Sequence, residues 1–467
     1  MFTFTETMSC GKRLSRRGFL RVGSLALGGM TLPHLLRARA EAGESSRLVT
    51  DKSVIFLFMH GGPSQIETFD PKMTAPSGVR SITGEVKTKI PGVTFGGTFE
   101  RIAALADKLS IVRSYQSGSG NHDIKPIVSK YSQGASLGAI YSRIAGSNHP
   151  ATGMPTNAAV FPRAVDPNAQ KANMRFGKFD STGSLGSAYR PFIPGAGGDL
   201  QQDMQLAMPR GRLDDRRSLL RGLDRLKREV DASGVIEGMD RFQQQAFTTV
   251  VGGVAEAFDL SKEDPKTIAR YDTAPLVRPE TISRKWNNYN NYVDNAKTLG
   301  KLLLLARRLC EAGCGFVTVT TNFVWDMHAD KNNATMDEGM HYCGSPFDHA
   351  VSAFIEDVHA RGLDKKILLV ATGEMGRTPK VNKNAGRDHW GNSTPLLLSG
   401  GGLKMGQVVG QTTRDGGQPA TEPYSVPHLT STIMHTLFDV GKLRIAQNVP
   451  SDVVRIATGS DPIGPLL

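Results

Sequence analysis

The chain has 467 residues, with 56 Lys+Arg against 44 Asp+Glu and a formal charge of +12. At 39% apolar and 21% charged, with 51 Gly, 25 Pro and only 4 Cys, it falls outside the disordered, collagen-like and disulfide-scaffold classes. A basic balance leaves nucleic acid, a membrane surface or an anionic small molecule open as partners, so the location of the charge decides.

Residues 1–40 carry seven of the basic side chains and one acid, Glu6. Their centre, Ser15-Arg16-Arg17-Gly18-Phe19-Leu20-Arg21, is similar to a twin-arginine export signal. A 15-residue uncharged run follows, Val22 to Leu36, and then Ala38-Arg39-Ala40. That is the order of n-region, h-region and cleavage site, with an apolar run too short to span a bilayer. The expectation is an exported protein, periplasmic or at the cell envelope, with the twin-arginine machinery as a partner. Without residues 1–40 the chain holds 49 basic and 43 acidic groups, a net +6. That modest excess gives no nucleic-acid reading. No run of about 20 apolar residues predicts a stable membrane span.

Five short apolar runs read as strands: Ser53–Phe58, Leu109–Arg113, Gly315–Thr320, Ile367–Thr372 and Leu396–Ser399. Helical spacing precedes three of them, at Phe99–Lys108, Ala296–Ala312 and Phe347–Arg361. Alternation of this kind predicts an α/β fold with a mostly parallel sheet flanked by helices. Residues 41–467 are expected to form one such domain. A loop-rich and helical insertion is expected at about 150–290, including the helical pattern over 210–272. Cys310 and Cys314, four apart on an apolar helix, read as buried small hydrophobes.

Ligands of parallel α/β sheets bind beyond the carboxyl ends of strands. There the chain places His60 after the first strand and His122 after the second. Asp326 and His328 follow the third, Glu374 and Arg377 the fourth, and Arg387 and His389 sit in the next loop. Carboxylate oxygen with imidazole nitrogen suits a divalent ion such as Zn, Mn or Fe. Asp326 and His328, two apart, are expected to face one ion with His389, and Glu374 to supply a further oxygen. Arg377 and Arg387 suit a tetrahedral anion. One G-x-S-x-G occurs, Gly134 to Gly138, which keeps a serine nucleophile at Ser136 as an alternative.

Taken together, Ser15–Arg21, Gly61-Gly62-Pro63-Ser64, Thr68-Phe69-Asp70, His122, Trp325-Asp326-Met327-His328, Gly373–Pro379 and Gly386–Trp390 resemble one family. It is the domain of unknown function 1501 family: twin-arginine-exported, sulfatase-like proteins of the alkaline phosphatase-like superfamily. The resemblance implies an alkaline phosphatase-like sheet and one or two divalent ions, with Zn, Mn or Ca as candidates. It also implies phosphate or sulfate ester chemistry on an anionic small molecule or glycan. The match is partial. His60 or Gly61 stands where the superfamily has its first Asp, and Glu374-Met375 stands where it has Asp-His. Asp326 and His328 are separated by one residue rather than three, and no C/S-x-P-x-R segment is present.

The leading expectation is therefore an exported metal-dependent hydrolase of phosphate or sulfate esters. Asp326, His328, Glu374, His389 and His60 are its candidate metal ligands. His122, Arg377 and Arg387 are its candidate catalytic groups. The alternatives are a non-catalytic envelope protein of the same fold that binds an anionic glycan or partner, and a serine hydrolase using Ser136.

Overall fold

The computed structural model describes residues 48–195, 254–447 and 449–467. The export signal and the helical pattern over 210–253 lie outside the described residues. Seven strands form the central sheet: β1 (Ser53–Phe58), β2 (Ser110–Val112), β3 (Asn157–Val160), β4 (Phe316–Thr320), β5 (Ile367–Thr372), β6 (Leu396–Gly400) and β7 (Gln407–Val409). Their order is β7-β2-β6-β5-β1-β4-β3. β1 pairs in parallel with β4 and β5, β3 with β4, and β7 with β2. Only β6 runs antiparallel, against both β5 and β2. The fold is thus the mostly parallel α/β arrangement that the alternation predicts.

The central strands are mostly apolar because both faces of the sheet are covered. Successive residues of β1 alternate between two cores. Ile55 and Leu57 join Val317, Val319, Leu369 and Ala371 on one side. Val54, Phe56 and Phe58 join Phe316, Leu368 and Val370 on the other. The first side is covered by α1 (Tyr289–Glu311) and α2 (Ser345–Ala360), whose Leu302, Leu303, Leu309, Val351, Phe354 and Val358 are buried in that core. The second is covered by helices Leu137–Ala145 and Val426–Leu437. Cys310, Cys314 and Cys343 are free and buried, as expected of small apolar residues. No helix among the described residues is long and apolar enough to cross a membrane.

Two strands escape sequence reading. Asn157–Val160 contains two alanines and one β-branched residue, and Gln407–Val409 has only three residues. Both lie at sheet edges, where a neighbour supplies the pairing. The reversed β6 also has a reason. The segment after β5 folds into a small ribbon, Gly376–Arg377 against His389–Trp390, and returns to the sheet at the end it left. The ribbon therefore stays at the carboxyl end of the parallel strands.

Candidate metal centre

Four loops meet at that end. The β1 loop contributes His60, Gly61 and Gly62; the chain beyond β2 contributes His122. The β4 loop brings Asp326 and His328, and the β5–β6 connection brings Glu374, Arg377, Arg387 and His389. Gly61 permits the closest approach. Its φ is +113°, and a Cβ there would stand 2.5 Å from the Asp326 backbone nitrogen. A side chain at this position would push the β1 and β4 loops apart.

The side chains converge on one carboxylate oxygen. Asp326 Oδ1 lies 2.8 Å from His328 Nε2, 3.3 Å from His389 Nε2 and 3.5 Å from His122 Nε2. His328 Nε2 and His389 Nε2 are 2.7 Å apart. One ligand atom from each of His122, Asp326, His328 and His389 fits within 4.8 Å of the others. Donors on a tetrahedral ion at ~2.0–2.1 Å stand ~3.3 Å apart, and these separations straddle that value. Three imidazole nitrogens and one carboxylate oxygen form a donor set suited to Zn, with Mn or Fe as alternatives. The residues present fit a single divalent ion.

Around the four ligands stands a second layer. Glu374 is fully buried, and its Oε1 lies 3.0 Å from His122 Nδ1 while both its oxygens accept from the Gly61 N–H. A carboxylate on Nδ1 fixes the imidazole with Nε2 toward the cluster, the usual outer partner of a metal-bound histidine. Asn333 Nδ2 donates to Asp326 Oδ2 at 2.9 Å, and Arg377 Nη2 donates to Asp326 Oδ1 at 2.6 Å. Asp388 Oδ1 stands 3.5 Å from His328 Nδ1.

The electrostatics follow from this packing. Burial opposes ionisation of Asp326, but Arg377 and the three histidines outweigh it and hold the carboxyl well below its usual range. Burial also opposes protonation of His122. Its bonds to Asp326 and Glu374 overcome that and raise it to about 9. His389 is lowered, by burial first.

Two of the expected residues sit elsewhere than expected. Glu374, read as a metal oxygen, lies behind His122; His122, read as an acid or base, is one of the four residues that could hold the ion. His60 is outside the four. It is walled in by Phe58, Phe176, Phe179 and Phe323, its Nε2 has no partner among the described residues, and burial beside His122 pushes it down to about 3.

The two arginines expected to bind an anion are both fully buried. Arg377 donates to Gly61 and Gly62 carbonyls, to the Arg387 carbonyl and to Asp326. Arg387 pairs with the fully buried Glu67 at 2.8 Å and donates to the carbonyls of Val79 and Arg80. Both guanidiniums hold loops in place. Ser136 caps the helix Leu137–Ala145 by accepting from the Ala139 N–H; among the described residues no imidazole or carboxylate touches it. A nucleophile needs such a base within reach, so the motif there marks a helix start.

Asn333, Glu67, Phe176 and Phe323 carried no signal in the sequence that set them apart. Glu67, after β1, and Phe323 and Asn333, after β4, do lie where the strand-end rule directs attention, but their residue types mark no role there.

A family model described as "Protein of unknown function (DUF1501)" matches residues 51–444. The chain belongs to this family. It is the family that the motifs resemble, and its description assigns no activity. No curated protein matches the sequence. Among solved structures, the chain is similar to the PsFucS1 sulfatase from Pseudoalteromonas sp., at 10% identity over 85% of this chain and 69% of that one, TM-score 0.34. It is similar to the lipoteichoic acid synthase LtaP from Listeria monocytogenes, at 9% identity over 85% and 77%, TM-score 0.31. A third is the alkaline phosphatase from the Antarctic bacterium TAB5, at 11% identity over 78% and 95%, TM-score 0.25.

Proposed function

We propose that this protein is an exported metal-dependent hydrolase of phosphate or sulfate esters. The observation that carries the reading is the convergence of His122, His328 and His389 on Asp326 at the carboxyl end of a parallel sheet. A divalent ion at such a site supplies Lewis-acid polarisation of an ester oxygen and activation of water. The chain's part is to hold it with those four residues. Glu374 keeps His122 in one tautomer, and Asn333 and Arg377 keep Asp326 in one rotamer. Phe176 and Phe323, packed against His122, shield one side from water.

The test is release of an aryl alcohol from aryl phosphate and aryl sulfate by the zinc- or manganese-loaded full chain. Turnover that disappears in His389→Ala supports the reading; a wild-type chain that binds no metal contradicts it. A second reading is favoured by one observation. Among the described residues no Ser, Thr or Cys side chain hydrogen-bonds to any of the four ligands. A non-catalytic envelope protein that binds an anionic glycan has no need of one. Metal binding without turnover of either ester would favour it.

Export rests on Arg16 and Arg17. A route that carries folded chains allows the centre to be loaded before export. Replacing both with Lys should retain the protein in the cytoplasm, read by fractionation of the expressing cells.

A further inference from the structure

An oxyanion substrate needs a cation beyond the metal ligands, and the expected ones are spent. Arg377 and Arg387 are buried in complete partner sets. Lys125, close to His122 in sequence, pairs with Asp123 at 2.7 Å. Arg175 differs. It is exposed and, among the described residues, pairs with no carboxylate.

Its guanidinium lies 5.6 Å from the centre of the Phe176 ring. That ring stacks on Phe323 at 4.5 Å and 17°, and sits 5.0 Å from the ring of His122. Arg175 is therefore one aromatic ring away from a ligand of the candidate centre. Resting on the hydrolase reading, we propose that Arg175 is the residue that recognises the tetrahedral oxyanion of the substrate, a phosphate or sulfate group.

The position is built rather than incidental. Asn322, nearly fully buried, accepts from the Asn173 N–H at 2.9 Å and donates to the Lys171 carbonyl at 2.7 Å. Asn173 Oδ1 in turn accepts from the Arg175 N–H at 3.0 Å. The next residue after Asn322, Phe323, holds φ at +53°, an uncommon conformation for a bulky side chain. Such strain persists only where the surroundings impose it. Here it sets the Phe323 ring against His60, His122 and Phe176 together. One loop after β4 thus carries Asp326 and His328 and also clamps the segment that presents Arg175. A guanidinium resting on an aromatic face is pre-oriented, and its planar fork matches two oxygens of phosphate or sulfate.

The experiment measures inorganic phosphate and inorganic sulfate binding to the zinc-loaded full chain by calorimetry, with zinc content determined in parallel. Arg175→Ala should weaken binding of the preferred oxyanion roughly tenfold or more with zinc content unchanged. Arg175→Lys should recover part of the loss, because it restores charge without the fork. In ester turnover the same loss should appear in KM rather than kcat. Unchanged oxyanion binding in Arg175→Ala, or a zinc-loaded wild type that binds neither anion, overturns the assignment while leaving the metal centre standing. A wild type that takes up no zinc overturns the hydrolase reading, and the assignment falls with it.

Discussion

Two of the buried charged clusters among the described residues are put together differently. One lies against α1 and α2. Arg307, almost wholly buried, contacts Glu263, Glu311 and Asp357; Arg308 and Arg361 also reach Glu263, and Arg361 and Tyr271 reach Asp357. Every group there meets one of opposite charge or a hydrogen-bond donor. Its effect is to fasten residues 257–271 to the helices. The other is the Asp326 cluster, where three imidazole nitrogens crowd one oxygen and two nitrogens stand 2.7 Å apart. Lone pairs facing each other at that distance need a proton or a cation between them. Matched charges make a structural fastening; converging donors make a binding site.

The sharpest way to break this contrast is to remove a ligand. Asp326→Ala or His389→Ala should abolish stoichiometric metal binding, a loss beyond the ~100-fold that outer partners cost. His389→Ala should keep the fold, whereas Asp326→Ala also leaves the buried Arg377 without its carboxylate and should cost about 3–5 kcal/mol of stability. Elemental analysis and circular dichroism read the two outcomes separately.

Next in size is the converse. Arg307→Ala leaves Glu263 and Asp357 buried without their main partner and should cost about 3–5 kcal/mol of stability. Metal affinity should stay as it was. A loss of metal binding in the folded variant would show the clusters to be coupled.

His122 in one cluster and Glu263 in the other should also titrate in opposite directions. In the metal-free chain His122 is raised to about 9 from an ordinary 6.5. Its contribution is therefore fully present below pH 6.5 and lost as pH rises through about 9, a few kcal/mol at ~1.4 per pH unit. Glu263 is held below its ordinary 4.5, against the pull of burial, by Arg307, Arg308 and Arg361. Its contribution is present above that value and lost as pH falls through the lowered one. Urea unfolding at pH 4, 6 and 9 should show both losses. Zinc should remove only the alkaline one, since a ligating imidazole carries no proton at that nitrogen.

The smallest effect separates ligand from support. Glu374→Gln keeps an oxygen for the Gly61 N–H but removes the charge behind His122. It should weaken metal binding about 10–100-fold without abolishing it. Complete loss would make Glu374 a ligand after all.

Much of this was legible from the sequence, for physical reasons. Val54–Phe58 and Ile367–Ala371 are unbroken apolar runs because both sheet faces are covered, and the strand ends read from them, Ser53–Phe58 and Ile367–Thr372, agree with the observed strands. Asp326 and His328 stood out because charged or imidazole groups just beyond such runs have few structural uses, and His389 because the following loop adds a further imidazole. What remained hidden depended on reach. Sequence places Glu374 and His122 in the same neighbourhood; only geometry says which touches the centre and which stands behind. Arg377 and Arg387 looked available for the same reason, since no spacing reveals that Glu67, 320 positions away from Arg387, will take its charge. Asn333 and Phe323 act through contacts that leave no pattern at all.

The central claim is that His122, Asp326, His328 and His389 hold one divalent ion. Zinc titration of the chelator-treated full chain, followed by X-ray absorption at the zinc edge, tests it most directly. The account predicts one ion per chain with nitrogen and oxygen neighbours at ~2.0–2.1 Å and no sulfur, lost in Asp326→Ala. A chain that binds no zinc, or one whose zinc persists unchanged in Asp326→Ala, would contradict it.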